Sequence, residues 1–380
     1  MEIYLDNSAT TRPYKRVCDK VSEVMQNTYG NPSSLHRLGI AAEKEIKTAR
    51  ESIADTLGVR PDEIYFTSGG TEANNLAIMG VCGAARGRHI ISTPIEHPAT
   101  LNTLNALEIS GKRIDYIPVD SDGIVKLAEF EDMITPDTCL VSVMLVNNEI
   151  GSVQPIERIA SILRKRNPNA YLHVDAVQGY CKIPFSQKEL GADLISISSH
   201  KIHGPKGVGA LYIKKGTKLA PIIFGGGQQN GIRPGTENVP AIAGFGVAAK
   251  HCSSKMADAI GQMTLLRERL KNGICENIDN VVVNTPELCA PHILNISFGG
   301  VKSEVILHTL ENEGIYVSSG SACSSHKREP SYVLTSIGLD RGMIDGSIRF
   351  SLSEFNTKEE IDKVVSVLMA VVPRLRKLNR

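Results

Sequence analysis

Five short apolar runs within the first 200 residues constrain the fold of this chain more than any other feature. Stretches with helical periodicity, such as Thr71 to Cys82 and Pro155 to Lys165, lie between them. Strands that alternate with helices of this length predict an α/β fold, in which helices cover both faces of a mainly parallel sheet. The runs are EIYF (63–66), HIIS (89–92), CLVSVMLV (139–146), YLHV (171–174) and LISIS (194–198).

The pattern changes after about residue 250. An amphipathic helix over roughly 250–277 leads to strands in ILNISF and SIRFSLS, with further helices over 303–312 and 358–376. This order predicts a smaller α+β unit, which about the first dozen residues join. A length of 380 residues suits two domains. We therefore expect a large domain over 15–255 and a small domain built from 1–14 and 256–380.

The charge balance argues against several classes of partner. Lys and Arg number 42 and Asp and Glu number 41, so no overall field favours nucleic acid or a membrane. The N-terminal MEIYLDNSATT lacks the pattern of a signal peptide. The apolar stretch Val239 to Ala249 is shorter than the ~18 residues that a membrane span needs. We expect a cytoplasmic protein that contacts neither a membrane nor nucleic acid directly.

The eight cysteines form no C-x-x-C pair, and the histidines have no spacing typical of a metal site. We therefore expect no bound metal, and most thiols should be buried as small hydrophobic groups. Cys323 differs, because Gly, Ser and charged residues surround it in SSGSACSSHKREPS. This composition predicts an exposed loop whose thiol can meet a substrate. The alternative is a surface cysteine without a role.

Two predicted strands end in residues that suit a phosphate and a ring nitrogen. Ligands of parallel sheets bind beyond the carboxyl ends of the strands. EIYF runs into TSGGTEANN, where a helix opens at Thr71 and its N–H groups can hold a phosphate. YLHV runs into Asp175, which can hold a proton on the ring nitrogen of a cofactor. Each residue, or Ser68 in place of Thr71, can instead simply cap a helix.

The third strand end carries a lysine. LISIS breaks into SHKIHGPKG, which places Lys201 at the mouth of a buried strand. Burial there favours the neutral, nucleophilic amine that Schiff-base chemistry needs. A surface lysine with a buried stem is the alternative. Because Thr71, Asp175 and Lys201 occur together at strand ends, the sequence favours pyridoxal 5′-phosphate bound on Lys201.

The chain resembles the cysteine desulfurases of the NifS/IscS group, within the aspartate-aminotransferase-like class of enzymes that use pyridoxal phosphate. The resemblance extends over essentially the whole chain, and it implies the fold of that class, with a large and a small domain. The motifs that carry it are YLDNSATT, GNPSSLH, FTSGGTEANN, EHPA, VNNEIG, HVDAVQ, SSHKIHGPKG, GGGQQNGIRPGTEN, SSGSACSS, EPSYVL and SIRFSLS.

The resemblance implies roles around the ring of the cofactor. Lys201 would bind the cofactor covalently and later move the Cα proton of the substrate. Asp175 would pair with the ring nitrogen, and Gln178 would donate a hydrogen bond to the phenolic oxygen. His97 would stack on the ring and assist proton transfers. A histidine before a proline, as here, can instead be a turn residue.

The phosphate, by the same resemblance, would be held by residues from two subunits. Gly70, Thr71, Ser198 and His200 would contact it from one chain, and Thr236 would reach it from the second subunit of a homodimer.

The substrate carboxylate would be received by Asn148 and by Arg349, the latter as a bidentate fork. Arg349 on an alternating strand can instead be the partner of a cross-strand ion pair. Cys323 would take the sulfur of L-cysteine as a persulfide, release L-alanine and pass the sulfur to an acceptor protein.

The acceptor stays open. Members that serve an iron–sulfur scaffold often carry Glu-Arg where this chain has Gln229 and Asn230, and they have a longer tail than VPRLRKLNR. A scaffold for iron–sulfur assembly and a tRNA- or cofactor-thiolating protein therefore both remain as partners. Two other activities of this fold also remain: a selenocysteine lyase and an aminotransferase.

Overall fold

The computed structural model describes residues 2–319 and 330–378. Its strands are β1 (Ile3–Tyr4), β2 (Ile64–Thr67), β3 (His89–Ser92), β4 (Arg113–Tyr116), β5 (Thr138–Met144), β6 (Tyr171–Asp175), β7 (Leu194–Ser198), β8 (Gly209–Ile213), β9 (Val281–Val283), β10 (Ile293–Phe298), β11 (Ile315–Tyr316), β12 (Ser318–Ser319) and β13 (Ser347–Ser351). Its α-helices are α1 (Lys15–Asn27), α2 (Arg37–Leu57), α3 (Gly70–Ala84), α4 (Pro98–Ile109), α5 (Leu127–Met133), α6 (Ile156–Arg166), α7 (Gln187–Leu190), α8 (Val239–Asn277), α9 (Ser303–Asn312), α10 (Tyr332–Ser336), α11 (Arg341–Asp345) and α12 (Lys358–Leu378).

A seven-stranded sheet forms the larger part of the fold. Its strand order is β2-β8-β7-β6-β5-β3-β4, and only β8 runs antiparallel to its neighbours. The adjacent pairs from β7 to β4 are all parallel. All five apolar runs of the sequence lie in this sheet, so the prediction of a mainly parallel sheet is confirmed.

Helices cover the sheet on both faces because successive side chains of a strand point to opposite faces. On β7, Ile195 and Ile197 pack into a core with α1, α2, α6 and the first half of α8. Leu194 of the same strand packs into a second core with α3 and α4. Every residue of β5, β7 and β8 is buried, which explains their nearly continuous apolar sequence.

A smaller antiparallel sheet lies in the C-terminal part of the chain, in the strand order β12-β13-β10-β9. Its core is separate and contains side chains from α9, α12 and the last half of α8. Ile3 and Leu5 are buried in the same core, and β1 pairs with β11 in parallel. The first residues therefore join the smaller unit, while the division at residues 15 and 255 stays a prediction.

Helix α8 starts earlier than predicted. The sequence periodicity indicated a start near residue 250, whereas the helix runs from Val239 to Asn277 and passes through both cores. Its first turns are buried on most sides, as Ile242, Phe245 and Ala249 show. A helix with apolar residues all round has no amphipathic period, so the pattern could not reveal this part.

The cysteines are less buried than predicted. Of the seven in the described residues, three are buried: Cys82, Cys139 and Cys252. Cys18 and Cys275 are exposed, because they lie on outward-facing positions of α1 and α8. Among the described residues, no helix combines the length and apolar character that crossing a bilayer requires.

The crossing of α2 and α8 depends on the absence of a side chain at Gly246. A Cβ atom there would lie 2.6 Å from the Cα atom of Ala49. We expect Gly246→Ala to lower the free energy of unfolding by about 1–3 kcal/mol through overpacking. Gly261→Ala on the same helix is the control, because its Cβ would meet nothing within 4 Å. Denaturant unfolding followed by circular dichroism measures both, and equal midpoints would contradict the packing argument.

His173 links three central strands. Its Nδ1 lies 2.8 Å from the Ser142 hydroxyl on β5, and its Nε2 lies 2.9 Å from the Ser196 hydroxyl on β7. Complete burial lowers the pKa of His173 to about 4, and the nearby Asp175 offsets this only partly. The folded protein therefore holds this imidazole neutral at pH values where an unfolded chain would protonate it.

This shift makes stability depend on pH in one direction. As the pH falls below about 6.5, His173 becomes protonated in the unfolded state but stays neutral in the folded state. The free energy of unfolding therefore decreases. We expect the stability advantage of the wild type over His173→Gln to shrink by about 2 kcal/mol between pH 7.5 and pH 5. Denaturant titrations of both proteins across this range measure it. An advantage that is independent of pH would show that His173 does not titrate as described.

Candidate active site

A cavity of about 270 Å³ lies where β5, β6 and β7 end and α3 begins. This is the edge at which ligands of open parallel sheets bind. Its lining contains most of the residues that the sequence singled out. The lining residues are Ala9, Gly70, Thr71, Asn74, His97, Met144, Val146, Asn148, Asp175, Val177, Gln178, Ser198, His200 and Lys201.

Lys201 enters this cavity from the short 3₁₀ turn that follows β7. Its Nζ donates hydrogen bonds to the carbonyl oxygens of Ser8, at 2.5 Å, and Ala9, at 2.8 Å. Ser8 and Ala9 act here through backbone carbonyls, which every residue type has, so their side chains do not reveal this role. The N-terminal segment therefore orients the amine.

Asp175 ends β6 and is buried. Its Oδ2 accepts a hydrogen bond from the Asn74 side chain at 2.6 Å, and its Oδ1 accepts one from the Val177 N–H at 3.0 Å. Asn74 lies on α3 and was not predicted as a site residue. Because both carboxylate oxygens are held, the orientation of the group is set before any ligand binds.

The start of α3 has the properties of an anion site. The residue before it, Gly69, supplies no side-chain cap to the first N–H groups, and Gly70 and Thr71 of the first turn line the cavity. A Cβ atom on Gly70 would lie 2.8 Å from Val177 Cγ2, so any larger residue would force Val177 to move. The buried Ser198 hydroxyl has no hydrogen-bond partner within residues 2–319 and 330–378. An anion at this place would satisfy both groups.

His97 both lines the cavity and caps a helix. Its Nδ1 accepts a hydrogen bond from the Ala99 N–H at 3.1 Å, at the start of α4. His97 therefore also has the local structural role that the sequence allowed as an alternative. Because Nδ1 accepts a hydrogen bond, a neutral His97 carries its proton on Nε2. Burial lowers the pKa of His97; Asp175 opposes this effect and Lys201 adds to it.

His200 and Gln178 lie on the same wall. Burial first, and then the charge of Lys201, lower the pKa of His200 to about 4. Its Nδ1 lies 3.2 Å from the Thr10 hydroxyl. Gln178 donates a hydrogen bond to the Ser8 carbonyl at 2.9 Å. Both residues therefore contact the N-terminal segment as well as the cavity.

Arg349 is close to the cavity without lining it. From β13 its Nη1 donates to the Asn148 carbonyl and its Nη2 to Asp6 Oδ1, both at 2.9 Å. Arg349 thus forms an ion pair, as the alternative interpretation of the sequence allowed, and its partner is Asp6. Arg349 Nε and Asn148 Oδ1 are buried, with no hydrogen-bond partner in the described part of the chain.

Thr236 is a predicted site residue that the structure does not bring to the cavity. Thr236 is exposed and does not line it. Cys323 lies outside the described residues. Within the described ranges, no group of three or more His, Cys, Asp or Glu side chains is arranged to hold a metal ion.

Two buried acids, Glu96 and Glu149, adjoin lining residues of the cavity and were not predicted as site residues. Glu96 precedes His97, and burial raises the pKa of its carboxyl group to about 8. Glu149 follows Asn148, and burial raises the pKa of its carboxyl group to about 7, against the effects of Ser331 and Arg349. Nothing in the composition of the loops around these two acids indicates that their side chains are buried.

Comparisons with known proteins agree with this geometry. The aminotransferase class-V family matches residues 3–364. A cysteine desulfurase IscS of Dictyoglomus turgidum is 44% identical, over 100% of this chain and 96% of the relative. A cysteine desulfurase of Nostoc sp. is also 44% identical, over 99% of this chain and 94% of the relative.

Solved structures give the same result. A NifS-like protein superposes with a TM-score of 0.93 at 41% identity, covering 99% of this chain and all of its own. DndA from Streptomyces lividans superposes with a TM-score of 0.77 at 39% identity, covering 92% of this chain and 99% of its own. The chain therefore belongs to the aminotransferase class-V family, in its NifS/IscS group of cysteine desulfurases.

Proposed function

We propose that the protein is a cysteine desulfurase that converts L-cysteine to L-alanine, using pyridoxal 5′-phosphate on Lys201 and collecting the sulfur on Cys323. The observation that carries this proposal is the convergence of Lys201, Asp175 and the start of α3 on one cavity. Relatives of this chain that are named cysteine desulfurases match it over its full length.

The cavity suits this cofactor group by group. The uncapped start of α3 and the unpartnered Ser198 hydroxyl fit a phosphate, with Thr71 and His200 beside them. Asp175, already held by Asn74, would pair with a protonated ring nitrogen. His97 and Gln178 would contact the ring from the cavity walls. When bound, the cofactor supplies a ring that withdraws electrons from the Cα atom of the substrate.

Lys201 would serve two purposes. It would hold the cofactor covalently, and its amine would move the Cα proton of the substrate. The carbonyl oxygens of Ser8 and Ala9 accept hydrogen bonds from its Nζ and so fix the position of the amine at the cavity. The neutral His97, with a proton on Nε2, is placed to assist these transfers.

The substrate carboxylate would bind between Asn148 and Arg349. Arg349 is fixed by Asp6 and by the Asn148 carbonyl, while its Nε–H remains without a partner among the described residues. The substrate carboxylate would accept a hydrogen bond from this Nε–H, so that every nitrogen of the buried guanidinium would have a partner. Asn148 lines the cavity itself, so its side chain would contact the same group.

The sulfur step belongs to Cys323. Its thiolate forms a bond to the substrate sulfur while the carbon–sulfur bond breaks, and the released bonding electrons stay on the carbon skeleton. Protonation of that skeleton yields L-alanine, and a persulfide remains on Cys323. An acceptor protein then takes the outer sulfur. An iron–sulfur scaffold and a tRNA-thiolating protein are the two proposed acceptors.

A homodimer is part of this proposal. Thr236 is exposed on its own chain and does not line the cavity. This placement suits a contact with the phosphate site of a second copy, from which Thr236 would complete the cradle.

The direct test is to incubate the purified protein with L-cysteine and to quantify alanine and protein-bound persulfide. We expect equal amounts of both in a single turnover. Lys201→Ala should produce neither, and Cys323→Ala should produce no persulfide. Alanine formation without persulfide on Cys323 would contradict the proposed sulfur path, and undiminished activity of Cys323→Ala would favour an aminotransferase instead.

Arg349→Lys tests the carboxylate site. Lysine keeps the charge but lacks the Nε–H that Arg349 leaves for the substrate, so we expect the KM for L-cysteine to rise by roughly ten- to a hundredfold, the loss of one charge-assisted hydrogen bond. Steady-state alanine production measures it. Arg341→Lys is the control, since Arg341 forms an exposed ion pair with Asp345. A KM that is the same in both variants would remove Arg349 from the substrate site.

A further inference from the structure

An ion pair lies beside the turn that opens α3. Arg233 Nε donates a hydrogen bond to Glu72 Oε1 at 2.7 Å, and its Nη2 donates one to Glu72 Oε2 at 3.2 Å. The guanidinium therefore binds the carboxylate at two points. The two side chains are only 25% and 13% exposed, so water screens this pair less than it screens the ion pairs of the surface.

The carboxylate of this pair is held on the turn that lines the cavity. Glu72 Oε2 also accepts a hydrogen bond from the Ser68 N–H at 2.9 Å. Gly70 and Thr71 lie between Ser68 and Glu72 in the sequence, and both line the cavity. The negative charge of Glu72 therefore lies next to the place where the cofactor phosphate would bind.

Both members of the pair are charged at neutral pH. Burial acts to raise the pKa of the Glu72 carboxyl group, but the hydrogen bonds from Arg233 and Ser68 outweigh it, and this pKa lies below its ordinary value. The hydrogen bond to Glu72 in turn raises the pKa of Arg233. An acid in the first turn of a helix is attracted to the positive helix end. Without Arg233, Glu72 would compete with a phosphate for this end of α3 and would repel it.

The rest of the phosphate site has little positive charge with which to offset an unpaired Glu72. Among the described residues that line the cavity, Lys201 is the only lysine or arginine, and it would form the covalent bond to the cofactor. Burial first, and then the charges of Lys201 and Lys206, lower the pKa of His200 to about 4, which keeps this imidazole neutral. The affinity for a phosphate should therefore depend on whether Glu72 is neutralised.

Arg233 belongs to a segment whose position is set by other contacts. Gln229 precedes it, and Gln229 Oε1 accepts a hydrogen bond from the Phe66 N–H on β2 at 2.9 Å. Gln229 Nε2 donates a hydrogen bond to Glu237 Oε1, also at 2.9 Å. These bonds hold the chain on both sides of Arg233 without involving its guanidinium. Removing the charge of Arg233 should therefore leave the segment in place.

We propose that Arg233 is a positioning residue for the cofactor phosphate: it neutralises Glu72 and so leaves the positive end of α3 to the phosphate. This inference rests on the proposed binding of pyridoxal 5′-phosphate. Arg233 does not line the cavity itself and would act through Glu72. Its effect should therefore fall on ligands that carry a phosphate.

The test measures the dissociation constant of pyridoxal 5′-phosphate from the full-length protein after its cofactor has been removed, by the visible absorbance of the bound cofactor. We expect Arg233→Gln to weaken binding roughly tenfold, because an unpaired carboxylate then lies beside the phosphate. The double variant Arg233→Gln/Glu72→Gln removes that charge and should bind within about threefold of the wild type. Arg233→Lys keeps a positive charge and should also stay within about threefold.

Two further measurements separate electrostatics from a general structural role. Pyridoxal, which lacks the phosphate but can still react with Lys201, should bind equally well to the wild type and to each variant. Raising the ionic strength from about 0.05 M to about 0.5 M should reduce the loss in Arg233→Gln, because salt screens the repulsion.

Arg60→Gln is the matched control. Arg60 binds Asp62 through the same two guanidinium nitrogens, at 2.9 Å and 2.8 Å, but this ion pair is exposed to solvent. The variant should bind pyridoxal 5′-phosphate with wild-type affinity.

The outcomes are distinct. A wild type that does not bind pyridoxal 5′-phosphate would remove the proposed function itself. A wild type that binds it, with Arg233→Gln at equal affinity, would overturn the role of Arg233. A double variant that binds as weakly as Arg233→Gln, or an equal loss of pyridoxal binding, would also overturn it, since both patterns describe a structural disturbance and not the charge of Glu72.

Discussion

The contact between the N-terminal segment and Lys201 joins the two parts of the molecule around one cavity. Residues 6–11 follow a strand of the smaller unit, yet the Ser8 carbonyl accepts a hydrogen bond from the lysine at the end of β7. A few residues earlier, Asp6 pairs with Arg349 on β13. One short piece of chain therefore sets the distance between the proposed cofactor lysine and the proposed substrate arginine. Displacing this segment would change the distance between Lys201 and Arg349.

The architecture was predictable because its signals are local. Strands buried inside such a sheet are largely apolar, and five short apolar runs define five strands of the large sheet. Carboxyl ends of parallel strands meet at one edge, so Asp175 and Lys201 had to be neighbours although 25 residues separate them in the sequence. The glycine turn before Thr71 lies at the same edge, because it follows the carboxyl end of β2. Strand direction alone thus accounts for the core of the site.

Other features could not be predicted, because they arise only from tertiary contacts. Ser8 acts through a backbone carbonyl, which every residue type has. Asn74 became important when α3 was packed beside β6, so that its amide reaches Asp175. Arg349 was expected as an open fork, but Asp6 and the Asn148 carbonyl already hold two of its nitrogens. The start of α8 escaped detection because burial on all sides leaves no periodicity.

Burial of the ionisable groups around the cavity has a consequence for its chemistry. His97 and His200 have lowered pKa values, which favours their neutral forms, and the raised pKa of Glu96, about 8, does the same for that acid. When these side chains are neutral, they add no charge of their own to the cavity. A substrate group that binds there loses most of its contact with water. A charge that develops on a bound substrate is then felt strongly by the few fixed polar partners nearby, because the local dielectric is low. Burial of the histidines costs folding stability as the pH falls, and burial of Glu96 costs it as the pH rises. The same burial strengthens the electrostatic interactions of the site.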